Sequence, residues 1–255
     1  MISVAEAKQI IIENTMPFKP EIISLKDAAG MVLAKDVFSP LDIPVFHQSS
    51  MDGYALSFAG WQLYKRLKIQ GVVQAGLKYG ELLPPQNAVR IFTGAVVPPG
   101  ADTVVMQEKV NIDSSTGTEG ELIIEDENLT AGSNVRLKGS EIKMGDLALA
   151  KDSILTPPAI GFLIGIGINQ VSVYPKPGIS IIVTGNELQE PGQPLQQGQV
   201  YESNSYSLRA VLRQFNLDQD VQIFKAQDDL EILTEVLKQA IEQSDVVFLT
   251  GGVSV

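Results

Sequence analysis

The last third of the sequence places hydroxyl, carboxylate and glycine residues directly after apolar runs, a combination that is typical of a ligand site. Thr184-Gly185-Asn186-Glu187 follows one run, a second run leads to Asp228-Asp229, and Thr250-Gly251-Gly252-Val253-Ser254 follows a third. Glycines let a ligand approach the backbone closely, and their amides can hold an oxyanion. The alternative is that the glycines only permit tight turns and that Asp229 caps a helix. Neither glycine segment is a Walker A sequence or a dinucleotide fingerprint, which leaves triphosphatase and nicotinamide functions little support.

Three earlier clusters carry similar chemistry, and each also has a plain structural explanation. Ser49–Tyr54 combines hydroxyls, a glycine and the carboxylate of Asp52, which also suits an ordinary Asp-Gly turn. Thr93 offers a hydroxyl to a phosphate, although its segment also fits a strand followed by a proline turn. Arg136 and Lys138 alternate to one face of an extended segment, which suits either an anion or a solvated edge strand.

The spacing of apolar residues predicts the elements that position these clusters. A capping box at Ser3–Glu6 starts a predicted helix that ends near Asn14. A short helix is expected at Ala28–Gly30, a strand at Val32–Val37, and one helix within Met51–Tyr64. Between 45 and 150, short apolar runs separated by glycine, proline and acidic turns are typical of a small sandwich or barrel.

Beyond Pro175 and Pro177 the pattern changes to strand, helix, strand, helix, strand. The strands are predicted over 179–183, 221–224 and 246–249, and Asp229 is expected to cap the second helix. This order predicts a parallel sheet with right-handed crossovers. Because ligands bind beyond the carboxyl ends of such strands, the three polar segments are expected to meet at one edge.

Composition excludes several function classes. The 255 residues include 19 basic and 30 acidic side chains, and the net charge of −11 argues against a nucleic-acid partner. Without cysteine there is no disulfide framework or thiolate metal site, and the single histidine, His47, is assigned no role. No apolar run reaches the ~18 residues of a membrane span and Met1–Thr15 is unlike a signal peptide, which predicts a cytoplasmic protein without a membrane partner.

Six sequence blocks, in order along the chain, resemble the molybdopterin molybdenumtransferase family, to which MoeA and the gephyrin E domain belong. They cover nearly the whole chain, and their number and order make the resemblance specific. The blocks are Ser49-Ser50-Met51-Asp52-Gly53-Tyr54-Ala55 after Pro44-Val45-Phe46, Thr93-Gly94-Ala95 through Val105, Val135-Arg136 with Gly139-Ser140-Glu141-Ile142, Ile182-Val183-Thr184-Gly185-Asn186-Glu187-Leu188, Tyr201-Glu202-Ser203-Asn204, and Thr250-Gly251-Gly252-Val253-Ser254-Val255.

The resemblance implies a multidomain α+β and α/β fold. An elongated N-terminal region is expected over 1–46 and 140–176, with a small β domain inserted over 47–139. A three-layer α/β domain with a parallel sheet, which binds molybdopterin, is expected over 177–255 and is incomplete at its C-terminus. The implied activity is that of a transferase in molybdenum cofactor biosynthesis: molybdate is inserted into adenylylated molybdopterin, with magnesium-dependent release of AMP. Family members are dimers, so the implied partners are a second copy, a molybdopterin adenylyltransferase and molybdoenzyme apoproteins.

The family's functional residues carry over onto matching positions. Its catalytic carboxylates fall on Asp52, Glu187 and Asp228, which are also the candidate magnesium ligands. A glutamate, Glu141, stands where an aspartate is common. The residues implied to bind substrate are Thr93, Arg136, Glu141, Thr184, Gly185, Asn204, Thr250, Gly251, Gly252 and Ser254.

One departure from the family concerns the segment expected after the last block. The lysines and the Pro-Gly-Lys-Pro segment thought to hold molybdate are absent, so we expect this chain to be a fragment that is incomplete for catalysis. Its net charge of −11 also implies that positive charge for an anionic substrate is local, near Arg136 and Lys138. The alternatives are a molybdopterin-binding or gephyrin-like scaffold protein without turnover, a competence-damage-like pyrophosphatase or amidase, and a plain sugar- or nucleotide-binding module.

Overall fold

The computed structural model of the chain describes residues 2–77, 80–116 and 120–251, which form two compact units. We call them the split unit, built from Met1–Lys35, Ala150–Ile164 and Asn169–Val255, and the β unit, built from Asp36–Leu149 and Gly165–Ile168. The finer division at residues 47, 140 and 177 stays a prediction. Among the described residues, no helix is long and apolar enough to cross a membrane.

The described residues contain five α-helices and eighteen strands, most of them short. The helices are α1 Val4–Asn14, α2 Phe58–Tyr64, α3 Pro157–Gly165, α4 Asn204–Gln214 and α5 Leu230–Gln243. The strands are β1 Glu21–Ser24, β2 Val32–Leu33, β3 Val37–Phe38, β4 Gln48–Ser49, β5 Gly53–Leu56, β6 Arg66–Val73, β7 Asn87–Ile91, β8 Thr103–Met106, β9 Val110–Asp113, β10 Glu121–Ile124, β11 Val135–Arg136, β12 Leu147–Leu149, β13 Gln170–Tyr174, β14 Ile179–Thr184, β15 Leu188–Gln189, β16 Val200–Tyr201, β17 Gln222–Ala226 and β18 Val246–Thr250.

The N-terminal part of the split unit confirms the first helix and corrects two smaller predictions. Helix α1 begins with the predicted capping box, in which the Ser3 hydroxyl accepts from the amide of Glu6. The single strand predicted over 32–37 is wrong, because the chain changes partner within it: β2 pairs with β13, whereas β3 pairs with β12. The short helix predicted at 28–30 is also wrong, since a 3-10 turn at Leu25–Asp27 takes its place.

The β unit contains a six-stranded sheet whose two faces are both covered by apolar side chains. The strand order is β8-β5-β7-β6-β10-β9, and within this sheet only β6 and β7 are parallel. Successive residues of β5 alternate between two cores, because Tyr54 and Leu56 join one cluster and Ala55 joins the other. The helix predicted within 51–64 forms only over α2, since β5 occupies the preceding positions.

The C-terminal part of the split unit confirms the predicted parallel sheet, in the order β17-β14-β18. Strand β14 is central and apolar on both faces. Ile181 and Val183 pack in a cluster with Leu212 of α4, whereas Ile182 packs with Ala240 of α5. The two helices therefore cover opposite faces of the sheet, which gives the three layers expected of this part of the chain.

Candidate functional site

In the β unit, Thr93 donates two hydrogen bonds to the side chain of Asp52, and we call this arrangement the Asp52 clip. The Thr93 amide donates to Asp52 Oδ1 at 2.8 Å, and the Thr93 hydroxyl donates to the same oxygen at 2.7 Å. Strand pairing brings the two residues together, because Gly53, the neighbour of Asp52, lies opposite Ile91, two residues before Thr93. The sequence therefore places a carboxylate and its two donors on adjacent strand ends.

The Asp52 clip fixes the ionisation state of its carboxylate. The backbone and hydroxyl donors of Thr93, together with the positive charge of Arg90, hold the pKa of Asp52 below its usual range. Among the described residues no donor pairs with Oδ2, so this oxygen keeps its capacity to accept. Asp52 is thus an anchored, ionised carboxylate with one free oxygen.

Arg136 lies in a strand pair that is hydrogen-bonded to the segment after Thr93. We call this region, with Asp52, Thr93 and Arg136, the corner of the β unit. Strand β11 pairs with β4, which places Arg136 opposite Gln48. Strand β4 in turn bonds the segment after Thr93, since the Gly94 amide donates to the Ser49 carbonyl at 2.8 Å. Arg136 Nη1 lies 3.9 Å from Glu141 Oε1, so these two predicted residues meet as an exposed ion pair.

Two features of this corner lie beyond what the sequence reasoning assigned. Lys138 Nζ pairs with Asp42 at 3.3 Å rather than standing free. The Lys138 amide donates to His47 Nδ1 at 3.0 Å, so His47 holds the segment that follows Arg136. With Nδ1 as an acceptor, the neutral imidazole carries its proton on Nε2.

In the split unit, the ends of the three parallel strands are tied together by hydrogen bonds. The Thr184 hydroxyl donates to the Thr250 carbonyl at 3.1 Å, which joins the ends of β14 and β18. The Asp228 amide donates to Asn186 Oδ1 at 3.3 Å, which joins the segments after β14 and β17. The predicted residues Thr184, Asp228 and Thr250 are therefore gathered at one sheet edge.

Glycine is required twice at this edge. Gly251 has φ +112°, and a Cβ atom there would lie 2.2 Å from the Thr184 hydroxyl oxygen. Gly185 has φ +144°, and its Cβ would lie 2.8 Å from a carboxylate oxygen of Glu187. The Glu187 side chain thus folds back over the Gly185 segment while remaining exposed to solvent.

Asn204 is the first residue of α4, and the side chain of Glu202, two residues earlier, caps this helix. The Glu202 carboxylate accepts from the amide of Ser205 at 2.8 Å and from its hydroxyl at 2.5 Å. Glu202 is 4% exposed, a burial that the sequence does not signal. Asn204 itself is exposed and free of side-chain hydrogen bonds within the described residues.

The two remaining predicted ligands, Gly252 and Ser254, lie outside the described residues. Within residues 2–77, 80–116 and 120–251, no three His, Asp or Glu side chains are grouped so that they could hold a metal ion. A magnesium site made from three carboxylates of this chain is therefore not formed there. Mg²⁺ commonly needs only one or two carboxylates when phosphate oxygens and water complete its shell.

Comparison with known proteins gives a match to a family model in each half of the chain. Residues 2–167 match the family described as MoeA N-terminal region (domain I and II), and residues 180–255 match a probable molybdopterin binding domain. The whole chain is 33% identical to a molybdopterin molybdenumtransferase of Haemophilus influenzae and 35% identical to one of Staphylococcus aureus. It covers 62% and 60% of these relatives, so it spans about three fifths of their length.

Solved structures agree with the sequence comparisons. A molybdopterin biosynthesis MoeA protein from Pyrococcus horikoshii matches all of this chain with a TM-score of 0.84 at 28% identity, and the match covers 67% of that protein. A second structure of a MoeA protein from this source matches 99% of the chain with a TM-score of 0.81 at 30% identity, and covers 64% of it.

Proposed function

This chain belongs to the MoeA family, and from that premise we propose that it acts in molybdenum cofactor biosynthesis as a transferase. The proposed reaction inserts molybdate into adenylylated molybdopterin and releases AMP. The names of the relatives, molybdopterin molybdenumtransferase, support this reaction class. The dimer, the adenylyltransferase and apoprotein partners, and the cytoplasmic location are parts of the same proposal.

The Asp52 clip is the observation that carries the proposal for this chain. Oδ1 is anchored by two donors from Thr93, so the position of the free Oδ2 is set before a ligand arrives. An acceptor that is already ordered orients a water molecule or a substrate hydroxyl without a further entropy cost. We assign this orienting role to Asp52, and we assign the binding of substrate anions to Arg136 on the neighbouring strand pair.

The sheet edge of the split unit is proposed to bind the pterin and its phosphate. Gly185 and Gly251 allow close approach of a ligand to the backbone there. The hydroxyls of Thr184 and Thr250 donate to the carbonyls of Thr250 and Ile182, so they offer a ligand their lone pairs as acceptors. Glu187 and Asp228 at this edge and, separately, Asp52 in the β unit are the candidate carboxylates to hold magnesium. Their hard oxygen donors fit an ion that shares its shell with phosphate and water. Bound magnesium would neutralise phosphate charge and so favour the departure of AMP.

The test is AMP release from adenylylated molybdopterin, with molybdate and Mg²⁺, by the 255-residue chain and, in parallel, by a protein of the relatives' full length that contains it, since the chain spans about three fifths of their length. The Staphylococcus aureus relative serves as the positive control for the assay. Asp52→Asn keeps an oxygen for the Thr93 donors but removes the charge, so we expect a loss of about 100-fold or more in kcat. The matched control is Asp126→Asn, because Asp126 also accepts from a backbone amide in the β unit, that of Asn128 at 3.1 Å.

The outcomes separate the proposal from its alternatives. AMP release that requires molybdate and falls in Asp52→Asn but not in Asp126→Asn supports the transferase. Binding of adenylylated molybdopterin without release favours a molybdopterin-binding or scaffold protein without turnover. Release by the full-length protein alone supports the transferase and shows that the additional segment completes the site. If neither protein binds or releases, both functions are contradicted.

A further inference from the structure

Arg90 of β7 is a half-buried residue to which the proposed function gives no role. Its Nη1 donates to the Gly53 carbonyl at 3.3 Å, and its Nη2 donates to Gln107 Oε1. The backbone amide of Gln107 in turn donates to the Asp52 carbonyl at 3.1 Å. The guanidinium therefore holds the Gly53 carbonyl directly. It is linked to the preceding carbonyl, that of Asp52, through Gln107.

Two aromatic rings fix the guanidinium in place. Its central carbon lies 5.2 Å from the centre of the Tyr54 ring and 5.1 Å from that of Phe92, both within cation–π range. Tyr54 lies directly opposite Arg90 across the β5–β7 pair. Phe92 directly precedes Thr93, and Tyr54 lies two residues after Asp52. Each ring therefore belongs to one of the two segments that form the Asp52 clip.

This environment shows how Arg90 acts. Its terminal nitrogens bond to the Gly53 carbonyl and the Gln107 side chain, and the two rings lie 5.1–5.2 Å from its central carbon. Within the described residues, these contacts of Arg90 all lead to groups that adjoin Asp52 and Thr93.

We propose that Arg90 is a positioning residue for Asp52. It fixes the backbone at Asp52-Gly53, relative to the strand end that carries Thr93, so that Thr93 holds Oδ1 while Oδ2 remains free. The consequence for AMP release rests on the proposed function, but the effect on the geometry of the Asp52 clip does not.

The test uses two substitutions that weaken the contacts by different means. Arg90→Lys keeps the charge but cannot make both hydrogen bonds, and Gln107→Ala removes the second of them. The control is Arg66→Met on the neighbouring strand β6, where Arg66 pairs with Asp113 at 3.0 Å. Hydrogen exchange of the Thr93 amide, followed by NMR, reports the Asp52 clip directly, and AMP release is measured in parallel.

We expect Thr93 amide exchange to accelerate by about 2- to 10-fold in Arg90→Lys and Gln107→Ala, since each weakens a hydrogen-bonded support. We expect kcat for AMP release to fall by about 10- to 100-fold with little change in KM, because the reacting geometry is displaced while the binding contacts remain. Arg66→Met should leave both quantities unchanged.

Wild-type exchange at Thr93 in both variants would overturn the proposal. So would a fall in protection that is equal at every amide of the β unit, because that is the signature of a merely structural role. If neither the wild-type chain nor the full-length protein releases AMP, the proposed function fails, yet the exchange of the Thr93 amide still decides whether Arg90 positions Asp52.

Discussion

The corner of the β unit and the sheet edge of the split unit hold their polar residues in different ways. At the corner, side chains are anchored by other side chains and amides: Thr93 holds Asp52, and Arg90 holds the adjacent backbone. At the edge, hydrogen bonds to backbone groups shape the segments, and the carboxylates of Glu187 and Asp228 are exposed. An acceptor that is fixed before the ligand arrives is suited to orienting a reacting group. Exposed carboxylates that can move are suited to closing around a bound ligand.

The largest expected difference is in the free energy of unfolding of two glycine variants. A Cβ at Gly53 would lie 1.9 Å from the Val105 carbonyl oxygen, which is fixed in the sheet, so Gly53→Ala is expected to cost about 3 kcal/mol or more. At Gly185 the colliding atoms belong to the flexible Glu187 side chain, so Gly185→Ala is expected to cost only the backbone strain of about 1–2 kcal/mol. Denaturant titration measures both, and equal losses would contradict the comparison.

Ligand-induced protection gives the next largest effect. At adenylylated molybdopterin near 100 times its Kd, amide exchange around 184–187 and 250–251 is expected to slow by up to about 100-fold. Thr93 already donates to Asp52 at 2.8 Å, so its amide should change much less. Exchange mass spectrometry with and without ligand makes the measurement, and strong new protection at Thr93 alone would reverse the assignment of the two regions.

A smaller effect is expected in the acid dependence of stability. The Asp52 pKa is lowered in the folded chain, so its contribution is fully present above the ordinary pKa of about 4 and is lost as the pH falls through the folded value. Thr93→Val removes the hydroxyl donor and raises the folded pKa. The variant should therefore be less stable than the wild type near pH 6, and the two should converge as the pH falls through the folded pKa of Asp52. Urea titrations across this range test the prediction, which a constant offset would refute.

The smallest effect is expected for the ion pair between Arg136 and Glu141. Both side chains are more than half exposed and lie 3.9 Å apart, so Glu141→Gln should change the free energy of unfolding by less than about 0.5 kcal/mol. Under the proposed function, this substitution would also free Arg136 to bind the substrate anion. A large loss of stability in this variant would mean that the corner depends on this pair as well as on the Asp52 clip.

Local signals made part of this site predictable. Apolar runs followed by Thr184, Asp228 and Thr250 identify strand ends, and parallel order then brings those ends to one edge. The role of Arg90 was not predictable, because it depends on the register that sets Arg90 opposite Tyr54. A one-residue slip would turn its side chain to the other face.

The local sequence also did not predict the change of strand partner between β2 and β3 or the burial of Glu202. The apolar residues of 32–37 look like one strand, since nothing in them signals that β2 and β3 join different sheets. Ser203 stands at the usual capping position of α4, but its side chain makes no capping hydrogen bond. The buried carboxylate of Glu202 accepts from the Ser205 amide instead. The packing that decides both cases involves distant parts of the chain.

The pairing of β1 with β13 has a consequence for synthesis on the ribosome. Glu21 lies opposite Val173, which is 173 − 21 = 152 residues later, and nearly all of the β unit is translated in between. At about 5–20 residues per second, β1 waits roughly 8–30 s for its partner. During that interval most of the β unit emerges while the β1 backbone lacks its partner and the side chain of Ile23, half-buried in the folded chain, remains uncovered. A nascent chain halted before residue 170 would accordingly be a target for chaperones that bind extended apolar segments.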